Sequence, residues 1–147
     1  MHWFVWIAIV LIGFIGFLFW QNLKMPKTTG LIEGQLQHCP KSLNCVCSCD
    51  EDEGHHIAPL PFGSENTLGQ IQTFLSDNYI AQVVEATPTY LHVVVTTPVL
   101  RFKDDLEFQV NREKGEVQVR SGARVGSKDF GVNRARIEKL RAFLKSA

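Results

Sequence analysis

From Trp3 to Trp20 the chain reads WFVWIAIVLIGFIGFLFW, eighteen residues without a charge, and the next formal charge is Lys24. At about 1.5 Å per residue such a run makes a helix roughly 27 Å long, close to the hydrocarbon thickness of a bilayer. Trp3, Trp6 and Trp20 stand near its two ends, where amphipathic rings favour the headgroup zone. The reading is a single-pass anchor over residues 1–23, with the lipid bilayer as partner of residues 3–23. A secretory signal fits less well: the run is long for an h-region and no Ala-x-Ala-like site follows it. A lipoprotein signal fails because Cys39 lies far downstream, after Leu36-Gln37-His38.

Residues 24–35 read as a polar linker and 36–147 as one small domain, enough for a single two-layer core. Within it, 36–61 is an irregular Cys-rich segment and 62–147 an α+β core. The net charge is zero, so no nucleic-acid partner is expected. The charges are segregated, however. Residues 31–110 carry three basic and eleven acidic side chains, residues 111–147 ten basic and four acidic. The two parts are expected to face each other, or else to leave a basic surface.

Thr67 with Gln70 has the spacing of a capping box, and Leu68, Ile71, Phe74 and Leu75 follow at helical intervals. Ile80–Ala86 and Thr89–Thr96 read as strands around a Thr87-Pro88 turn. Leu106, Phe108 and Val110, then Val117 and Val119, alternate with polar residues as two further strands. A helix from about Asn133 to Lys145 closes the chain. The order helix, four-stranded antiparallel sheet, helix predicts an α+β domain with both helices on one sheet face.

Arg112-Glu113-Lys114-Gly115 reads as a four-residue hairpin loop, and that loop fixes a register. Asn111 then pairs with Glu116, Val110 with Val117, Gln109 with Gln118, Phe108 with Val119, and Glu107 with Arg120. A one-residue slip would break every pair. Glu107 and Arg120 become a cross-strand ion pair in a charge-dense neighbourhood: Asp104, Asp105, Ser121, Arg124, Asp129, Asn133, Arg134 and Arg136. Arg134 and Arg136 fall in the first turn of the last helix, where the dipole disfavours cations unless an anion lies close. A fixed carboxylate or a bound anionic ligand would serve. Asp104 and Asp105 are adjacent, so on a strand they point to opposite faces and make no obvious acid/base pair. No nucleophile elbow, phosphate loop or dinucleotide fingerprint is present.

Cys39, Cys45, Cys47 and Cys49 are followed by His55 and His56. The simplest reading is a Cys39–Cys45 disulfide in an oxidising compartment. The alternative is a zinc or copper(I) site drawn from those four thiols and two imidazoles. Free thiols are the third reading.

Cys39-Pro40-x-Ser42-x-Asn44-Cys45-Val46 with His56-Ile57-x-Pro59-Leu60 resembles the opening of the domain-of-unknown-function 1499 family of bacterial and plant proteins. Phe102-x-Asp104-Asp105-Leu106-Glu107-Phe108 and Val119-Arg120-Ser121-x-x-Arg124-Val125-Gly126 resemble its central motifs, and Asp129-x-Gly131-Val132-Asn133-Arg134-x-Arg136-x-Glu138 its closing one. The resemblance covers about residues 36–145. It implies a family without an established activity, whose members often carry an N-terminal export or membrane segment. It also implies that Cys39 and Cys45 are the family's pair, because Cys47 and Cys49 stand where a pair of serines is common. Ala123 stands where a second serine is usual.

The functional expectation is a non-enzymatic envelope module that binds an anionic small molecule, lipid headgroup or protein partner through Arg120, Arg124 and Arg134. No cofactor is expected. Metal handling by the Cys39–His56 segment is one alternative, and an enzyme using Asp105 or Glu107 as acid/base is the other. Lys24 and Lys27 favour a cytoplasmic domain by the positive-inside rule. A disulfide favours the opposite side, and the adopted reading is a bacterial inner-membrane protein with its domain outside the cytoplasm.

Overall fold

The structure is a computed structural model describing residues 3–146; Met1, His2 and Ala147 lie outside the described residues. Helix α1 (Trp3–Leu23) is long and apolar enough to cross a membrane, and none of its most apolar stretch is buried against the rest of the chain. Its side chains therefore find no apolar environment within the protein itself. At its C-terminal end Lys24 Nζ sits 3.4 Å above the Trp20 ring.

The linker is more ordered than a polar tether. It carries a small hairpin, β1 (Leu31–Ile32) and β2 (Gln35–Leu36), turned by Glu33 and Gly34. Both turn residues have positive φ, 50° and 76°, the combination a two-residue hairpin turn demands.

The Cys-rich segment supplies β3 (Cys45–Cys47) and β4 (Leu60–Pro61). Helix α2 (Thr67–Asn78) follows, then β5 (Ile80–Ala86), β6 (Tyr90–Thr96), β7 (Lys103–Asn111), β8 (Glu116–Ala123) and helix α3 (Val132–Ser146). The sheet therefore has six strands, not the expected four, in the order β3-β8-β7-β6-β5 with β4 also paired to β8. The added strands are two and three residues long, too short to show a period, and exist only because β8 offers them its free edge. All pairings in the sheet are antiparallel.

The β7–β8 register agrees pair by pair with the count from the hairpin loop, Glu107 opposite Arg120 included. Gly115, at φ 64°, makes that turn. One sheet face carries Leu91, Val93, Val95, Leu106, Phe108, Val117 and Val119, which pack on Leu68, Ile71 and Leu75 of α2 and Ile137 and Leu140 of α3. Both helices thus cover the same face, and Phe74 and Phe143 join them at 5.0 Å between ring centroids. The expected capping box at Thr67 does not form. Asn66 is the N-cap, without a side-chain bond, and Thr67 is the first helical residue, its Oγ1 accepting from the Gly63 and Ser64 amides.

Candidate functional site

Strand alternation divides the acidic residues of β7 between two sheet faces. Asp104 points to the helix side, while Asp105 and Glu107 point to the opposite side, covered by residues 24–37. The arginines follow them, so the charged cluster is two networks back to back.

On the helix side, Arg136 Nη2 donates to Asp104 Oδ2 at 2.7 Å and Arg136 Nη1 to Asn133 Oδ1 at 3.0 Å. Ser121 Oγ donates to the same Asn133 oxygen, and Asn133 Nδ2 reaches the Asn44 carbonyl at 3.4 Å. Burial pushes the Asp104 carboxyl above the ordinary range, and its bond to Arg136 only partly offsets that. The Arg136 guanidinium also lies 5.3 Å from the Tyr79 ring centroid. Asp129 caps α3: its Oδ2 accepts from the Asn133 amide at 2.8 Å and Oδ1 from the Gly131 amide at 3.1 Å. Fixed carboxylates therefore answer the basic first turn.

On the covered face the groups form a ladder across β6, β7 and β8. Glu107 Oε1 accepts from the Tyr90 hydroxyl at 2.7 Å and the Gly30 amide at 2.6 Å, and Oε2 from Arg120 Nη1 at 3.1 Å. Asp105 takes both Nε and Nη2 of Arg124, at 2.7 and 2.8 Å, and His92 Nε2 at 2.8 Å. Burial acts to raise the Asp105 carboxyl, but the bonds from Arg124 and His92 outweigh it and hold the group below the usual carboxylate range. Burial and the bond to Glu107 push the Tyr90 hydroxyl well above its usual value.

The linker closes this face. Arg120 Nη2 donates to Thr28 Oγ1 at 2.8 Å. Asn22, near the end of α1, is buried: its Nδ2 donates to the Arg101 carbonyl and its Oδ1 accepts from the Lys103 amide, both at 2.7 Å. Among the described residues the oppositely charged segments meet through four ion pairs: Arg112–Glu65, Arg120–Glu107, Arg124–Asp105 and Arg136–Asp104.

Over the two covered-face arginines lies a cavity of about 270 Å³, walled by Pro26, Thr28, Ser42, Arg120, Gly122 and Arg124 among others. Arg120 is 3% exposed, and its Nε has no hydrogen-bond partner. Arg134 does not join this cavity; it stands on α3 and reaches the Gly54 carbonyl at 3.5 Å. A wider trough of about 610 Å³ lies toward the β7–β8 hairpin, over Gln109, Arg112, Lys114, Glu116 and Gln118. It is larger, but it lacks the buried cations that make the smaller cavity chemically distinctive.

The cysteines are joined as Cys39–Cys45 and Cys47–Cys49, and none is free among the described residues. Their sulfurs therefore offer no thiolate to a metal. His55 bonds the Cys45 carbonyl through Nδ1, and His56 the Asp50 carbonyl. His38, Cys49 and Asp50 bring ligand atoms within 4.8 Å of one another, but the Cys49 sulfur is committed to Cys47.

Tyr90, His92, Asn22 and Thr28 are site residues that sequence reasoning did not single out, and Asn44 entered it only as a position of the opening motif. Tyr90 and His92 had a signal, because they alternate with Leu91, Val93 and Val95 along one strand. The others contact the site across 79 or more positions of sequence, which no local pattern marks.

Residues 35–144 match the family model described as Protein of unknown function (DUF1499), and the chain belongs to that family. No curated protein and no solved structure matches it.

Proposed function

We propose that this protein is a membrane-anchored, non-enzymatic module whose domain stands at the bilayer surface and binds a small anionic group over Arg120 and Arg124. The observation that carries the reading is Arg120, buried, lining a cavity, and with Nε–H unpaired; among the described residues Arg136 Nε is likewise unpaired, but Arg136 lines no part of this cavity. Nε itself is shut off from solvent, so an acceptor in the cavity would satisfy that donor only if the guanidinium turned toward it. Thr28 and Ser42 add hydroxyls to the same wall.

The charges limit the ligand. Arg120 and Arg124 are already matched by Glu107 and Asp105, so the cavity has no large excess of positive charge. It suits a group of one negative charge, a carboxylate or phosphodiester, better than a polyphosphate.

Retention of α1 as an anchor draws support from Asn22. A segment removed after export would take with it a side chain that holds Arg101 and Lys103 of the folded domain. The disulfides support an oxidising, extracytoplasmic setting for the domain. An enzyme gains no comparable support: Asp104, the carboxyl raised by burial, lies on the helix side, away from the cavity walls.

The test is titration of the full chain in lipid nanodiscs with dimethyl phosphate and with acetate, following the arginine Nε–H resonances by NMR. Saturable movement of the Arg120 signal, without movement of Arg141, is the expected result. An Arg120 signal that stays put with both probes withdraws the binding site and leaves the cluster a scaffold that fastens the linker to the sheet.

A further inference from the structure

The β6–β7 connection runs from Thr97 to Phe102 and is closed on itself, Thr97 N bonding the Phe102 carbonyl at 2.8 Å and Phe102 N bonding Thr97 Oγ1 at 2.9 Å. Its tip is Val99 and Leu100, 86% and 67% exposed. Immediately after the tip come Arg101 and Lys103, the two residues whose backbone groups Asn22 holds at the end of α1. An apolar tip is thus bolted to the last turn of α1, which is long and apolar enough to cross a bilayer.

A second apolar projection stands at the same end of the sheet. β8 leaves the sheet at Ala123, opposite Asp104, and leads into the loop carrying Phe130, which is 95% exposed with φ 55°. A bulky residue is rarely found in the left-handed region, and here Phe130, which occupies it, is almost fully exposed. The β5–β6 and β7–β8 turns, the latter carrying Arg112, Glu113 and Lys114, lie at the far end.

We propose that this end of the domain is a membrane-contacting rim, with Val99, Leu100 and Phe130 inserted into the interface of the leaflet that α1 enters. The proposal rests on the reading of α1 as an anchor. Exposed apolar side chains at loop tips, set off from the rest of the surface, mark interaction sites. Here the occupant follows from position: the Asn22 clamp holds the loop at the level where α1 leaves the hydrocarbon. Charge agrees with it. Lys24 and Lys27 follow α1 directly, and Arg101 and Lys103 follow the Val99-Leu100 tip, charges suited to headgroup phosphates, while the acidic run Asp50–Glu53 lies toward the start of α3, where Arg134 reaches the Gly54 carbonyl. The domain then stands on two kinds of contact, one spanning and one interfacial, in a fixed orientation that places the Arg120 cavity beside the lipid headgroups.

The experiment places an environment-sensitive fluorophore, in separate full-length chains, at Leu100→Cys, Ile12→Cys and Glu113→Cys. All four native cysteines are paired, so the introduced thiol is the one that reacts. The chains are reconstituted in nanodiscs with or without lipids brominated along the acyl chain. The expected result is quenching at Leu100 at least about twofold above that at Glu113, as for an interfacial apolar contact. Strong quenching at Ile12 with Leu100 at the Glu113 level overturns the rim and leaves the anchor standing. A label at Leu100 that shifts to the blue without quenching lies against protein, and also overturns the rim. Absence of quenching at Ile12 removes the anchor and the rim with it.

Discussion

Glu107 and Arg120 face each other across β7 and β8, their Oε2 and Nη1 3.1 Å apart and their side chains 0% and 3% exposed. A pair so placed is costly to break from one side, since an unmatched buried charge remains; the penalty is about 3–5 kcal/mol. Glu107→Leu alone should lose that much stability in denaturant unfolding of the micelle-held chain. Adding Arg120→Met should recover most of it. Recovery should stay incomplete, because the Tyr90 hydroxyl and the Gly30 amide have lost their acceptor. Strictly additive losses would mean the two groups do not act as a pair.

Adjacent carboxyls on β7 should respond to acid in opposite senses. Asp105 is held below its ordinary value, so the native state binds its proton less readily than the unfolded chain. Its stabilisation is complete above the unfolded pKa of about 3.9 and is lost as pH falls through the depressed native value. Asp104 is raised by burial, so its contribution is largest below that unfolded value and declines as pH rises through the native one. In denaturation at stepped pH, the gap between the native protein and Asp105→Asn should shrink below about pH 4. The gap to Asp104→Asn should instead widen at higher pH, as pH falls through the raised native value toward about 4, and level off below it. Parallel curves would contradict this assignment.

These charges show what local pattern can and cannot carry. The Glu107–Arg120 pairing was legible because a Gly-ended turn and two alternating strands leave one register that keeps Phe108 and Val119 on the same face. The split of Asp104 from Asp105 followed from the pleat alone. β3 and β4 were not legible: Cys45–Cys47 and Leu60–Pro61 owe their extended form to the edge of β8 rather than to their own composition. Nor could Arg134 be separated from Arg120 and Arg124 by counting, since one lies on a helix and the others along a strand and its exit. Asn22 illustrates the limit. It looks like the polar end of an apolar run, and its role depends on a loop 79 positions away.

Asn22→Ala should therefore uncouple α1 from the domain without unfolding it. The substitution leaves the Lys103 amide and the Arg101 carbonyl unsatisfied, a local cost of about 1–3 kcal/mol. Amide exchange in nanodiscs should accelerate about tenfold or more at Lys103, which corresponds to 1.4 kcal/mol or above. The Phe108 amide, in the middle of β7, should keep its native rate. Equal acceleration at both would make Asn22 a determinant of global stability instead of a local clamp.

Gly122 is the residue whose replacement tests how firmly the Cys-rich segment is held. It pairs with Cys45, and a Cβ built on it would meet both Cβ and Sγ of Cys45 at 3.2 Å. That distance is tight enough that Cys45 must yield by a few tenths of an ångström. It has little freedom to do so, being fixed by the β3–β8 ladder on one side and by its bond to Cys39 on the other. Overpacking of this kind costs about 1–3 kcal/mol, and Gly122→Ala should lower stability by that amount. Replacing Cys39 by Ser frees the Cys45 sulfur to rotate while its Cβ remains in the strand. The penalty of Gly122→Ala measured in that background should therefore be smaller, though not zero. An undiminished penalty would mean that the clash lies with the strand backbone, and that the disulfide adds nothing to the rigidity of the cavity wall that Cys45 and Gly122 share.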